Sequence, residues 1–185
     1  MKNVIIIHGC SSTPEEEVEY DPAKHWMPWV RDALISHGVP TVLPRMPESW
    51  APDYGKWKTE FEKQEINEQT VLIGHSCGCA FLVRWLGDSK RNVDKLILVA
   101  PWKIGTSNEA KKKFYDYPID GTIKSRVNKM VMFTARNEER DGKKSLEIFK
   151  NALGGKVIEL EGRGHHTEED METGEFPELF AEVIN

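Results

Sequence analysis

The chain has 185 residues, 39% of them hydrophobic and 30% charged, which is enough for one domain over residues 1–185 with a single sizeable core. A formal net charge of −5 leaves no positive field to gather phosphate backbones or anionic lipid headgroups, which argues against nucleic-acid and membrane partners. The apolar run 4–7 ends at His8 and Gly9, well short of a secretory core or a membrane span, so a cytoplasmic protein is expected.

Residues 4–7 form the first expected strand. A loop over 10–24, carrying the acidic run Glu15-Glu16-Glu17, leads to helix spacing over 26–37, where Trp26, Trp29, Val30, Ala33 and Leu34 share one face and Gly38 supplies a stop. Further strands are expected at 41–43, 70–73, 95–99, 129–134 and 156–160, with helices at 56–66, 77–86, 143–153 and 177–183. Most strands are continuous Val/Ile/Leu stretches, as required when helices cover both faces of a sheet. The expected fold class is therefore α/β: a compact arrangement of about six parallel strands flanked by helices. A loop over 102–126 separates the fourth and fifth strands; at about two dozen residues it is too short for a large lid domain. Its Lys111-Lys112-Lys113 run reads as a solvated face, and neither charged run is given a functional role.

The third strand runs into Gly74-His75-Ser76-Cys77-Gly78, a G-x-S-x-G sequence followed at once by a helix-compatible run. Strand, sharp turn and helix are the setting of a nucleophile elbow. Glycines let strand and helix approach closely while Ser76 takes a strained backbone conformation that lifts its hydroxyl clear of the sheet. A serine hydroxyl is a weak nucleophile at neutral pH, so it needs a base and an acid that orients the base. His165 follows the Gly162-Arg163-Gly164 bend after the last strand, at the sheet edge where Ser76 also emerges, and is preferred to its neighbour His166. His8, His25, His37 and His75 read as structural. For the acid, Glu138 is the first carboxylate after the fifth strand; Asp141, in a helix-capping position, competes with it, and Glu139 ranks third.

The amide of Cys77 at the start of the helix and that of Cys10 in the loop leaving the first strand are the expected oxyanion-hole donors. This places the side chains of Cys10 and Cys77 near each other. The odd number of cysteines and their lack of metal-type spacing make reduced thiols the expected state of Cys10, Cys77 and Cys79.

Taken together, His8-Gly9, His25-Trp26-Met27-Pro28-Trp29, Met46-Pro47, Trp57, Gly74-His75-Ser76, Val99-Ala100-Pro101 and Gly164-His165 resemble the small α/β-hydrolases of the retinoblastoma-binding protein 9-like serine hydrolase family, over nearly the whole chain. The resemblance implies Ser76 as nucleophile, His165 as base, and Cys10 and Cys77 as oxyanion donors. Where that family has an aspartate, this chain has Asn137-Glu138, and the match falls on Glu138. The segment 11–24 is longer than is usual there and is placed to border the pocket, as is Trp102, whereas Trp26, Trp29 and Trp85 read as packing residues.

The leading expectation is a serine hydrolase that cleaves a small ester-type acyl substrate through an acyl-enzyme, with no cofactor and no metal. The alternative is a catalytically weak protein-binding or regulatory module on the same fold. Metal hydrolysis by His165, His166, Glu168, Glu169 and Asp170 is disfavoured because no helix-spaced histidine pair supports it.

Overall fold

Successive side chains of a strand face opposite ways, so a strand apolar at every position must be covered on both sides. A computed structural model, which describes residues 1–19, 25–105 and 107–185, follows that rule. Six strands, β1 (Asn3–Ile7), β2 (Thr41–Val42), β3 (Thr70–His75), β4 (Val93–Val99), β5 (Val127–Ala135) and β6 (Lys156–Leu160), form one parallel sheet in the order β2-β1-β3-β4-β5-β6. Ile5, Ile7, Leu72, Leu96 and Leu98 point to one face, where they meet Trp57, Phe61, Phe81, Trp85 and Phe149. Val4, Ile6, Val71, Ile73, Ile97 and Val99 point to the other, against Trp26, Val30, Phe176, Leu179 and Val183. All of these side chains are buried, and each large one contributes about 1.5–3 kcal/mol on leaving water.

The first face is covered by α3 (Tyr54–Phe61), α4 (Cys77–Ser89) and α6 (Arg140–Leu153), the second by α2 (Trp26–Ser36) and α8 (Pro177–Ile184). Trp26 and Trp85 are core residues, and Trp29 packs edge-on against Phe180 with ring centroids 6.4 Å apart. The edge strands differ from the central ones. Only Thr41 and Val42 make up β2, between Pro40 and Pro44, and β6 carries Lys156 and Glu159 exposed.

Both expected loops contain helices. Within 10–24 lies α1 (Pro14–Glu19), where the Thr13 hydroxyl accepts from the Glu16 amide and the Glu16 carboxylate accepts from Ser12; residues 20–24 fall outside the described residues. Within 102–126, Asn108 caps α5 (Glu109–Tyr115) and Asp120 caps a 3-10 turn (Gly121–Ser125). Short polar helices of this kind have no apolar stripe to betray them; their caps hold them. Helix α3 starts at Tyr54 rather than residue 56 because the Asp53 carboxylate accepts from the Lys56 amide, and it ends at Phe61, its last buried residue. Helix α6 starts three residues earlier than the apolar pattern indicates. Among the described residues no large lid interrupts the fold, and no helix is long and apolar enough to cross a membrane.

Candidate active site

Ser76 sits between the last residue of β3 and the first of α4, with φ 51° and ψ −119°, in the left-handed region that side chains other than glycine rarely occupy. Three contacts impose this strain. The Ser76 amide donates to the Val99 carbonyl (3.0 Å), and the Ser76 carbonyl accepts from Cys79 (3.1 Å) and Trp102 (3.2 Å). The flanking glycines make the close approach possible: a Cβ at Gly74 would stand 2.8 Å from the Cys79 nitrogen, and one at Gly78 2.5 Å from the Ile7 carbonyl oxygen. Strand, turn and helix therefore pack at distances that no larger residue permits.

The Ser76 hydroxyl lies 2.8 Å from Nε2 of His165, whose Nδ1 lies 3.0 Å and 3.1 Å from the two carboxylate oxygens of Glu138. An ionised carboxylate only accepts, so Nδ1 carries the proton and Nε2 is left to accept from the hydroxyl. Glu138 is buried, with one oxygen also taking the Glu139 amide at 2.9 Å. Asp141 does not join this chain; its carboxylate pairs with Lys144 at the surface (2.9 Å), inside the first turn of α6 rather than at its cap. Glu139 holds the position before α6 and lines the cleft.

The loop bearing His165 is clamped on several sides. Its own amide donates to Asp170 Oδ2 (2.8 Å), the preceding Gly164 amide to Asn137 Oδ1 (3.0 Å), and its carbonyl accepts from Nε2 of His75 (2.9 Å). The Trp26 indole donates to the His166 carbonyl (3.0 Å), which directs His166 away into the core, stacked on Phe176. Burial, reinforced by nearby His165, holds the His75 imidazole well below its usual pKa, so it is a neutral donor and not a competing base. Gly164, at φ 45°, leaves room for the Asp170 carboxylate, which a Cβ there would strike. The roles of His75, Asn137 and Asp170 were not drawn from the sequence. Thr167-Glu168-Glu169-Asp170 does carry a signal, since a threonine three residues before an acid marks a capping box, and Thr167 and Asp170 bond reciprocally at the start of α7 (Glu168–Met171).

The cysteines depart from expectation. Cys10 and Cys77 are joined as a disulfide with Cα atoms 5.8 Å apart, and only Cys79 is a free thiol. Sheet register sets the nearness expected of these two side chains; their oxidation is the departure. Ile7 is the partner of Gly74 in the β1–β3 ladder, and each cysteine lies three residues beyond its paired position. Buried Cys79 bonds to the Gly74 carbonyl (3.1 Å), and burial pushes its thiol up.

Ser76 and His165 open into a cleft of about 1030 Å³, also lined by Cys10, Met27, Leu43 and Trp102. The Trp102 ring stands edge-on to His165, with centroids 5.3 Å apart. Cys77 is the first residue of α4, so its amide has no partner within the helix and lies beside Ser76; Cys10 reaches the same cleft from the end of β1. Lys111 is not merely a solvated residue: its ammonium donates to the Ser11 carbonyl (2.8 Å) at the cleft wall, where Glu16 also lies. Among the described residues, no group of three or more His, Cys, Asp or Glu side chains could hold a metal ion.

The chain is similar to known proteins in sequence and in fold. The YdeN protein of Bacillus subtilis (strain 168) is 33% identical over 89 residues, 46% of this chain and 42% of its own, so that match spans less than half of the relative. The serine hydrolase RBBP9 of Rattus norvegicus is 26% identical over 169 residues, covering 88% of this chain and 87% of the rat protein. The crystal structure of the B. subtilis ydeN gene product superposes with a TM-score of 0.84 at 19% identity, over 100% of this chain and 97% of that one. Est1E from Butyrivibrio proteoclasticus, in its ferulic acid complex, superposes at 0.64 and 12% identity over 99% and 86% of the two chains. A family model for serine hydrolases matches residues 5–184, and with a strained serine at its elbow the chain belongs to the serine hydrolase family.

Proposed function

We propose that this hydrolase is an esterase for small acyl esters, acting through Ser76, His165 and Glu138 by way of an acyl-enzyme. The observation that carries the reading is the 2.8 Å contact of the Ser76 hydroxyl with His165 Nε2 while Glu138 holds the other ring nitrogen. In the first step Ser76 Oγ bonds to the substrate carbonyl carbon and its proton passes to Nε2. The Cys77 and Cys10 amides receive the oxyanion, and buried Glu138 stabilises the imidazolium. The imidazolium then protonates the departing alcohol. Water, deprotonated by His165, attacks the acyl carbon, and collapse of the second tetrahedral intermediate returns the proton to Ser76 and releases the acid. The absence of a large lid among the described elements and the Trp102 ring beside His165 favour a short or flat acyl group over a long triglyceride chain.

The test is labelling by a fluorophosphonate probe together with hydrolysis of p-nitrophenyl esters of graded chain length. Wild type is expected to label and turn over and Ser76→Ala to do neither; an unreactive wild type would favour the binding-module alternative. Glu138→Gln is expected to lower kcat by about 10³–10⁴-fold, with Asp141→Asn within about twofold of wild type. The reverse outcome would move the acid to Asp141.

A further inference from the structure

The side chains of the two residues assigned to the oxyanion hole are themselves bonded, Cys10 to Cys77. Their settings differ. Cys77 is fully buried at the start of α4 and anchored with the elbow. Cys10 is half-buried on the loop after β1 and lines the cleft, and beyond the disulfide its loop is held by polar contacts of Ser11. Ser11 shares a hydroxyl bond with Ser49 (2.7 Å), and Lys111 donates to the Ser11 carbonyl. The covalent link therefore ties the amide of the β1 loop to that of the elbow.

We propose that the Cys10–Cys77 disulfide is a positioning cross-link for the oxyanion hole, and that a dithiol reaching the cleft lowers turnover reversibly by opening it. The inference rests on Ser76 being the nucleophile. A reductant thiolate attacks Cys10 Sγ, forming a mixed disulfide and expelling the Cys77 thiolate, which takes up a proton. The second reductant thiol then attacks the mixed disulfide, releasing Cys10 as a thiol and leaving the reductant as a cyclic disulfide, a two-electron exchange overall. Oxidised glutathione reverses it, with two molecules of reduced glutathione as product. Cys79 stays out of the exchange because its thiol is buried against the Gly74 carbonyl.

Without the link the Cys10 amide is displaced rather than removed. Losing one oxyanion donor outright costs about 10²–10³ in kcat, so reduction is expected to lower kcat about tenfold with KM within about twofold. The experiment compares protein equilibrated with oxidised glutathione and protein reduced with dithiothreitol and desalted anaerobically. It reads ester kinetics, fluorophosphonate labelling rate, circular dichroism, and thiols titrated in denaturant. One thiol is expected in the oxidised form and three in the reduced form. Cys10→Ser is expected to match the reduced wild type and ignore dithiothreitol, and Cys79→Ala to keep the full response. Equal kcat and labelling in the two forms, with the thiol count changed, would overturn the proposal, as would three thiols in the oxidised sample. Failure of the probe to label either form would instead overturn the assignment of Ser76.

Discussion

Replacing Gly142 by alanine sets helix propensity against the geometry of the acid. Alanine favours a helix interior over glycine by about 1 kcal/mol, so propensity alone makes Gly142→Ala a stabilising change. Gly142, however, is buried in the first turn of α6, directly over Glu138. A Cβ there would stand 2.6 Å from the Glu138 carboxyl carbon and 2.7 Å from Oε1, about 0.8 Å inside the 3.4 Å at which ordinary contact begins. The Glu138 side chain is 1% exposed, so relieving the contact requires the carboxylate and its packed neighbours to shift. A shift of that size directed along the 3.0 Å bond to His165 Nδ1 would stretch it to about 3.8 Å, beyond hydrogen-bonding range. Loss of the orienting acid in such a site costs up to about 10⁴ in kcat; with the charge retained nearby, about 10²–10³ is expected, or roughly 3–4 kcal/mol in the barrier. Ester kinetics and a thermal melt of the same preparation decide the matter. A variant that melts higher and keeps wild-type kcat would show that Gly142 makes no room for the acid.

Two further outcomes follow from the clamp around His165. In His75→Phe an aromatic ring, somewhat larger, is kept but the donor to the His165 carbonyl is lost; kcat is expected to fall about tenfold with KM little changed, and His75→Gln, which restores an N–H, should recover part of it. Unchanged kcat in the phenylalanine variant would remove His75 from positioning. Burial, with His165 and Arg163 adding to it, lowers the His166 pKa from 6.5 to about 4. The unfolded chain therefore takes up this proton first on acidification: the stability contribution is complete above about pH 6.5 and is lost as pH falls toward 4, by about 2 kcal/mol at pH 5. His75 acts in the same direction, so the check is the difference between wild type and His166→Asn. Wild type should lose roughly 4–8 °C more in Tm between pH 7.5 and pH 5, and parallel curves would refute the reading.

The central strands were legible because burial on both faces forces unbroken apolar runs; edge strand β6, which is not buried, was placed at its observed bounds and the others within two residues at each end. The elbow was legible for the same reason, since Gly74 and Gly78 are demanded by contacts under 3 Å that only glycine satisfies. The nearness of Cys10 and Cys77 was legible from their places after β1 and β3; the bond between them was not, because an odd number of cysteines pointed to reduced thiols. The sequence also brought Glu138 forward as the first carboxylate past β5, and the structure sets it against His165. The clamps on His165 lay hidden because Asn137, His75 and Asp170 act on backbone groups of a loop whose path nothing local dictates. Polar helices α1 and α5 were read as loops for want of an apolar stripe, and Lys111 as solvated because its bond partner is 100 residues away.

The two outer strands of the sheet bear on how copies of the chain meet in a crowded solution. An open rim of backbone donors and acceptors invites another polypeptide to add itself, and here that rim is two residues of β2 between prolines on one side and charged β6 on the other. Glu159 on β6 is moreover engaged by Arg136, so an approaching strand would have to strip a paired charge before laying down its first rung. The same Val- and Ile-rich segments that would zip together if freed are thus held in the middle of the sheet, fenced by its least adhesive members.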